Sequence, residues 1–352
     1  MLAGVALTAV GLLWLALGLV TFPAGEGWGY DYRAYADAAT RLAETGSPYQ
    51  AETLDGPYRP GPYGLYMYAP PVAVALGPLA ALDLDSAVTA WYLLHVLALA
   101  AASALLPVRP GIRLTAFGIA ALSLAVTRDL VLGNVSVLLL LPLAAAWRWL
   151  DRPAGSIAQA LAMSVRPMLG MLLVWQALRR QWRAIAWTVG AGLVLIALTL
   201  PFVGIGGYLD YLTVLRNLTG VTGVEFYYDL SSTALTLGLD ETAATVLLLA
   251  GYVLAIGAML LSLRRDRELG FVVTATGSLL LSPLLWDHYL AMLVLPAAFL
   301  AERGRWWGML LPLAAWLPPV VLPFVVVAAV VLPFTARDRA DAATDPRALV
   351  GP

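Results

Sequence analysis

The chain has 352 residues, of which 61% are hydrophobic and 12% are charged, and its formal net charge is −1 at pH 7. Because soluble domains carry about 25% charged residues, we expect most of this chain to lie in lipid as a bundle of helices. The sequence has no cysteine, no lysine and only two histidines, His95 and His288. These counts exclude disulfides, thiolate metal sites, cysteine nucleophiles and Schiff-base lysines, and they disfavour a histidine-rich metal cage.

The first apolar segment, residues 2–22, is about as long as the ~20 residues that cross a bilayer. A long polar stretch follows, and we predict a first outer loop over residues 24–71. Within it, residues 31–44 have helical spacing, with Tyr32 and Tyr35 on one face. This pattern predicts an amphipathic helix on the membrane surface, with Asp31 at its start.

Because arginine in short loops marks the cytoplasmic side, the later apolar segments are predicted to cross the membrane in alternating directions. Residues 68–82 are too short for an easy crossing and contain several prolines, so they are predicted to dip into the membrane and return. A final apolar block, residues 306–334, is expected to fold as a hairpin at Pro318–Pro319. The other predicted segments are residues 87–106, 114–126, 135–146, 156–165, 168–178, 184–203, 245–263, 271–285 and 290–301.

This topology separates the charges. Fifteen of the 21 arginines fall on the cytoplasmic side with seven acidic residues, whereas six arginines fall outside with fifteen acidic residues. We therefore predict an all-α polytopic membrane protein with about 10–12 transmembrane or re-entrant helices. It would form one transmembrane domain over residues 1–335, with a second outer loop at 204–244 and a cytoplasmic tail at 336–352.

Two of the outer arginines, Arg128 and Arg166, each lie at the tip of a tight apolar hairpin. Charges at membrane depth usually point into a cavity. One interpretation is that the two guanidinium groups bind a phosphate, as on a phospholipid-like ligand. The alternative is that they extend to the interface, or that Arg128 only accompanies its neighbour Asp129.

Asp31 is the candidate general base, because a carboxylate in a half-buried cavity can have a pKa suited to proton transfer. The alternative, which is compatible with it, is an N-cap role at the predicted helix. We expect neither a metal nor another cofactor, although Asp31 together with Asp287 could hold a metal ion.

The sequence Trp286-Asp287-His288-Tyr289 places an acid, an imidazole and two aromatic rings at the outer end of a helix pair. We interpret this cluster as part of the site, whereas His95 is interpreted as a packing or polar-cavity residue in mid-helix. Tyrosines such as Tyr35 and Tyr68 suit sugar stacking, but an aromatic belt at the interface explains them equally.

The order of motifs resembles a known family. The first loop holds D-Y-x-x-Y at Asp31 and G-x-P-Y at Gly46. Y-x-Y-x-P precedes a P-L pair, and a basic residue precedes proline at Arg166. G-N-x-S begins at Gly133, and S-P-x-x-W-x-H-Y begins at Ser282. Over nearly the whole chain, this order resembles the bacterial polyprenol-phosphate-mannose-dependent mannosyltransferases of glycosyltransferase family 87, which have the GT-C fold.

The resemblance implies an inverting enzyme of the plasma membrane. Its site would face away from the cytoplasm and move a hexose, in this family mannose, from a polyprenyl-phosphate donor to a lipid-linked or glycan acceptor. It implies that Asp31 deprotonates the acceptor and that His288 assists. The family usually has lysine where this chain has Arg166, and G-Q-x-N where it has G-N-x-S, so Asn134 is a candidate substrate contact.

Two other functions explain the sequence less well. A transporter or flippase of a lipid-linked glycan predicts inverted repeats and charges on both faces, neither of which the sequence contains. A non-catalytic membrane scaffold does not explain the positions of Arg128, Arg166 and His288. The expected partners are therefore the donor, the acceptor and membrane lipids, with no nucleic acid.

Overall fold

A computed structural model describes residues 1–25, 27–55, 63–64, 66–218, 228–282 and 284–336, and these residues are mainly helical, which confirms the all-α prediction. In chain order the helices are α1 (Leu2–Thr21), α2 (Tyr30–Thr45), α3 (Ala51–Asp55), α4 (Pro70–Ala80), α5 (Leu84–Leu105), α6 (Pro110–Leu122), α7 (Leu124–Leu132), α8 (Ser136–Arg148), α9 (Pro153–Val165), α10 (Met171–Leu178), α11 (Trp182–Leu218), α12 (Leu230–Thr236), α13 (Glu241–Ser262), α14 (Arg267–Gly277), α15 (Val294–Glu302) and α16 (Leu322–Val331). Further turns are 3₁₀ helices, including Pro167–Gly170, Ser278–Leu281, Asp287–Leu293 and Trp306–Trp316.

Four helices in the described ranges are long and apolar enough to cross a membrane: α1, α5, α11 and α13. The pair α6 and α7 adds a fifth span if it is counted as one, with a bend of 60° at Ser123. Shorter apolar helices, including α4 and α8, lie beside them. The protein is therefore a multi-pass membrane protein in which many segments are too short to cross alone.

Two segments differ in detail from the sequence expectation. The segment predicted at residues 114–126 is split by Ser123, whose side chain accepts from the N–H of Val126 and so starts α7. The second outer loop expected at residues 204–244 is partly helical, because α11 continues to Leu218 after a break at Gly204 and α12 lies within it. Conversely, the predicted break at Pro318–Pro319 is confirmed. The tail predicted at 336–352 lies outside the described residues, apart from Ala336.

Small residues allow the first span to pack closely. Helix α1 lies along α6, and a side chain at Gly118 would overlap the backbone of Leu7. Such close backbone approach is typical of helix pairs in membranes, where packing rather than water exclusion drives association. The rest of α1 is largely exposed and apolar, as expected for a lipid-facing helix.

The hairpin of α8 and α9 determines where the candidate site lies. Ser136 begins α8, whereas Arg166 directly follows the last residue of α9, so both residues lie at the same end of the bundle. Each helix has 13 residues, which at ~1.5 Å per residue separates its two ends by roughly 20 Å. Helix α2 packs on α4 at the Ser136 end, which we call the site end.

Candidate active site

The candidate base lies in the first turn of α2, which the sequence predicted as a helix over residues 31–44. Gly29, not Asp31, is the N-cap residue, and its φ of 67° places it in the left-handed region. The N–H of Gly29 donates to the carbonyl of Val131 over 2.8 Å. This bond joins the start of α2 to the last turn of α7, and no side chain caps α2.

The Asp31 carboxylate contacts a residue that is distant in sequence. Asn134 Nδ2 donates to Asp31 Oδ2 over 2.8 Å. Among the residues that the structure describes, no donor bonds Oδ1, and Gly64 approaches it so closely that a methyl group there would lie 3.2 Å away. Because Asp31 is only partly buried, this second oxygen can accept a hydrogen bond from a substrate hydroxyl.

The other end of the Asn134 amide faces the buried guanidinium. Arg166 Nη2 donates to Ser136 Oγ over 2.6 Å and lies 3.5 Å from Asn134 Oδ1. Arg166 is 4% exposed, and its Cζ lies 3.3 Å from the ring centroid of Tyr289. One amide side chain therefore bridges the Asp31 carboxylate and the Arg166 guanidinium, so the two charged groups share one site.

The turn that carries Asn134 is itself held by a buried acid. Asp129 accepts from the N–H groups of Ser136 and Val137 over 2.9 and 3.0 Å, which satisfies the N-terminus of α8. The His95 ring lies 3.5 Å from Asp129, and its Nε2 contacts the carbonyl oxygen of Asn134. Asp129 and His95 thus fix the backbone from which Asn134 and Ser136 extend.

The second arginine of the sequence prediction contacts a different carboxylate. Arg128 Nε lies 3.0 Å from Asp287 Oδ2, and the Arg128 side chain is 50% exposed. The ion-pair partner of Arg128 is therefore Asp287 and not its neighbour Asp129. Since Arg166 stacks on Tyr289, the two arginines hold opposite ends of one short turn.

His288 lies in that turn, between Asp287 and Tyr289. Its ring is buried and stacks on Trp286, with centroids 5.7 Å apart. Neither ring nitrogen makes a hydrogen bond within the described part of the chain, although Nδ1 lies 3.5 Å from Asp287 Oδ1. Buried polar atoms without partners are rare in folded proteins, so this imidazole is a candidate to bond a substrate.

The two carboxyl groups of the site are tuned in opposite directions. Burial raises the pKa of Asp31, and Asp129 and Asp287 act in the same direction, while the charge of His288 and the hydrogen bond from Asn134 only partly oppose them. At Asp287 burial also acts to raise the pKa, but His288 and the Arg128 guanidinium outweigh it and the pKa lies below its ordinary value. A raised pKa brings Asp31 nearer to the pH at which a general base exchanges protons.

The tyrosines proposed as sugar contacts lie in a packed aromatic cluster. Tyr35 and Tyr68 are 1% and 5% exposed, and their hydroxyl oxygens are 3.1 Å apart. Tyr49 donates to the Tyr68 carbonyl oxygen over 2.9 Å. Only small parts of the Tyr35 and Tyr68 rings are therefore accessible to a substrate.

The structure therefore links Asp31 and Arg166 through Asn134, and His288 and Asp287 precede Tyr289, whose ring lies against Arg166. Two supporting residues, Asp129 and Ser136, were not singled out from the sequence. The position of Ser136 two residues after Asn134 in the G-N-x-S motif was the available signal. Within the described ranges, no three His, Asp or Glu side chains form a group that could hold a metal ion.

The model of one family, glycosyltransferase family 87, matches residues 66–283. The matched stretch contains Tyr68, Asn134 and Arg166, whereas Asp31 and His288 lie outside it and join the site through their contacts. No curated protein and no solved structure matches the chain significantly.

Proposed function

The chain belongs to glycosyltransferase family 87, since the match covers more than half of its 352 residues, and we propose that it transfers a hexose from a polyprenyl-phosphate donor. The proposed sugar is mannose, and the proposed acceptor is a lipid-linked or glycan hydroxyl. The single observation that carries this proposal is the Asn134 amide, which bonds the Asp31 carboxylate on one side and faces the Arg166 guanidinium on the other.

The geometry supports an inverting displacement. Asp31 takes the proton of the acceptor hydroxyl through Oδ1, and the hydroxyl oxygen forms a bond to the anomeric carbon of the donor. The bond from that carbon to the phosphate oxygen breaks, and the lipid phosphate departs with the electron pair. General base catalysis of this kind contributes about 10²–10⁴-fold in rate.

Arg166 is proposed to stabilise the departing phosphate. Its Nε is buried without a hydrogen-bond partner in the described structure, so the guanidinium retains a donor for a phosphate oxygen. Stabilisation of charge on a leaving group by a preorganised donor in a site without water is commonly a large catalytic contribution. Arg128, which is half-exposed and paired with Asp287, is proposed to attract the phosphate at the entrance.

His288 is proposed to bond the donor or to help move the acceptor proton. Its two unpartnered ring nitrogens lie in the turn between Asp287 and Tyr289. They are close enough to Asp31 that the charge of His288 acts to lower the pKa of that carboxyl group. Trp286 stacks on the imidazole, and Asp287 lies beside it with a pKa that His288 and Arg128 hold below its ordinary value. The site is proposed to open on the outer face of the plasma membrane, where polyprenyl-phosphate sugars serve as donors.

The Asp31→Asn substitution tests the proposal. The amide keeps the size of the side chain but cannot accept the acceptor proton, so transfer should fall by about 10²-fold or more. Asp37→Asn is the matched control, because Asp37 is an exposed acid on the same helix. Purified protein would be incubated with radiolabelled polyprenyl-phosphate mannose and a membrane lipid extract, and labelled product would be counted.

Folding of both variants would be compared by thermal unfolding in detergent. Wild-type turnover by the folded Asp31→Asn variant contradicts the base assignment. Label that moves between leaflets of proteoliposomes without new product would instead identify a flippase. No transfer from any polyprenyl-phosphate sugar by wild-type protein contradicts the proposed donor class.

A further inference from the structure

A cavity of about 670 Å³ lies at the end of the bundle opposite the candidate active site. It is lined where α9, α11 and α14 begin, next to the segment that follows the C-terminus of α8. Since the 13 residues of α9 lead from the cavity to Arg166, roughly 20 Å separates this cavity from the site end. The cavity is therefore a separate feature and takes no part in the proposed transfer.

Positive charge dominates the lining. The cavity wall contains four arginines, which we call the basic pocket, and one acid, Asp151. Asp151 is paired with Arg267, and the nearby acids Asp266 and Glu268 contact Arg303. Within the described residues, the three remaining arginines of the cavity wall have no acidic partner. The arginines of the basic pocket are Arg152, Arg180, Arg183 and Arg267.

Three helix N-termini add to this field. Arg152 is the N-cap of α9, while Trp182 and Arg267 are the first residues of α11 and α14, and all three line the cavity. A helix N-terminus carries a partial positive charge that favours anions. That of α9 has no side-chain cap, whereas Asp266 caps α14 by accepting from the N–H of Leu269. Three helix starts and four arginines therefore line one cavity.

The backbone of Arg180 adopts an unusual conformation at the cavity. Its φ of 56° makes it the one non-glycine residue in the left-handed region among the described residues. The N–H of Gln181 donates to the Gln176 carbonyl and that of Arg180 to the Ala177 carbonyl. This is the helix-ending motif in which glycine is the usual residue. An arginine there keeps a cation at the cavity at a cost in backbone energy.

The surroundings indicate the class of ligand. Trp182 and Trp187 line the cavity and are 62% and 52% exposed. They begin α11, whose later turns are apolar and largely exposed. Tryptophan at the start of a lipid-facing span marks the headgroup level of a membrane, and basic pockets between such helices bind anionic lipid headgroups.

We propose that the basic pocket binds a phosphate ester, namely the headgroup of an anionic phospholipid whose acyl chains lie along Trp182, Trp187 and α11. The phosphate is held by Arg180 and Arg183 together with the N-terminus of α11, while Arg152 adds charge. The bound lipid anchors the end of the bundle that lies farthest from the active site. This inference is independent of the transferase activity.

The test uses full-length protein in a neutral maltoside detergent. Native mass spectrometry and the thermal unfolding midpoint would be recorded with dioctanoyl phosphatidylglycerol, dioctanoyl phosphatidylcholine or glycerol 3-phosphate. The pocket variant is Arg180→Gly with Arg183→Gln, in which glycine suits the left-handed backbone. The matched control is Arg148→Gln with Arg264→Gln, which removes the same charge from two exposed arginines that do not line the cavity.

We expect wild-type and control protein to bind phosphatidylglycerol about tenfold more tightly than phosphatidylcholine, and the pocket variant to lose this preference. Arg183→Gln alone is a second variant that leaves the Arg180 backbone unchanged. Protection by glycerol 3-phosphate that the pocket variant loses supports the anion site and identifies the phosphate ester as sufficient. Equal binding of both lipids, no binding of either anion, or unchanged binding by the folded pocket variant overturns the proposal.

Discussion

At the residue scale, Asn134 decides how the site is organised. Its Oδ1 accepts from the N–H of Val135 over 2.8 Å and faces Arg166, so its Nδ2 is directed at Asp31. This orientation couples the charge of the carboxylate to the position of the guanidinium. The amide N–H stabilises the ionised form of Asp31, which is the form that a general base requires.

The Asn134→Ala substitution should move the pH dependence of transfer. Removal of the amide donor raises the already raised pKa of Asp31 further, because the ionised form loses a hydrogen bond. Since the base must be ionised, the fall in kcat/KM on the acid side should move to higher pH. Asn217→Ala is the matched control, because the Asn217 amide donates to the carbonyls of Thr53 and Leu54 and not to Asp31. An unmoved acid limb in Asn134→Ala contradicts a catalytic role for Asp31.

Substitutions of Arg166 should separate charge from geometry. Lysine retains the positive charge but loses the planar contact with the Tyr289 ring, so Arg166→Lys should raise the KM for the donor about tenfold. Arg166→Gln loses the charge as well and should cost about 10²-fold in kcat/KM. Steady-state kinetics with varied donor, with unfolding midpoints as the folding control, would measure both. Equal kinetics of the wild type and the folded Arg166→Gln variant would show that Arg166 does not stabilise the departing phosphate.

At the element scale, sequence patterns predict the individual helices better than their bends. The polar face of residues 31–44 and the double proline at 318–319 are local signals, and both features are present. The bend at Ser123 had no comparable signal, because a single serine also occurs within apolar helices. The start of α8 depends on Asp129, whose side chain reaches N–H groups seven and eight residues later.

The turn between α7 and α8 is the element that sets the site. Gly133 has a φ of 72°, and its carbonyl oxygen accepts from Trp91 Nε1 over 2.8 Å. A Cβ atom at Gly133 would lie 2.8 Å from the Cβ of Tyr32, the residue after Asp31. Only glycine allows α2 to approach this turn so closely while the chain adopts the left-handed conformation.

The Gly133→Ala substitution should therefore disturb both stability and activity. Its matched control is Gly46→Ala, because Gly46 also has a left-handed φ, of 78°, but a Cβ there meets nothing within 4 Å. The control should lose about 1 kcal/mol of unfolding free energy from backbone strain alone. Gly133→Ala should lose ~1–3 kcal/mol more through overlap with Tyr32, and should lower transfer. Equal unfolding midpoints of the two variants would show that α2 does not pack against the turn this closely.

At the scale of the whole molecule, composition and charge distribution predict the class of protein, whereas the site depends on contacts between distant residues. Asp31 and Asn134 are 103 positions apart, and no pattern in either segment specifies that they meet. The sequence grouped Arg128 with Arg166, yet Arg128 pairs with Asp287, more than 150 positions later. Helix packing decides such partners, because it selects which loops meet at one end of the bundle.

The two ends of the bundle differ in charge, and this difference makes the membrane orientation testable. The chain contains no cysteine, so a single introduced cysteine is the only thiol. Glu44, near the C-terminus of α2, is exposed at the site end, and Arg148, at the C-terminus of α8, is exposed at the opposite end. Both positions lie on the surface, so substitution there should not disturb folding.

Because the arginine-rich end is predicted to face the cytoplasm, Glu44→Cys should react with a membrane-impermeant maleimide in intact cells. Arg148→Cys should react only after the cells are permeabilised. Labelling would be quantified by the gel shift of the purified protein, with the cysteine-free parent as the background control. The reverse pattern would place Asp31, and with it the proposed transfer, on the cytoplasmic face. The donor would then have to be a sugar carrier of the inner leaflet, while the geometry of Asp31, Asn134 and Arg166 would stay the same.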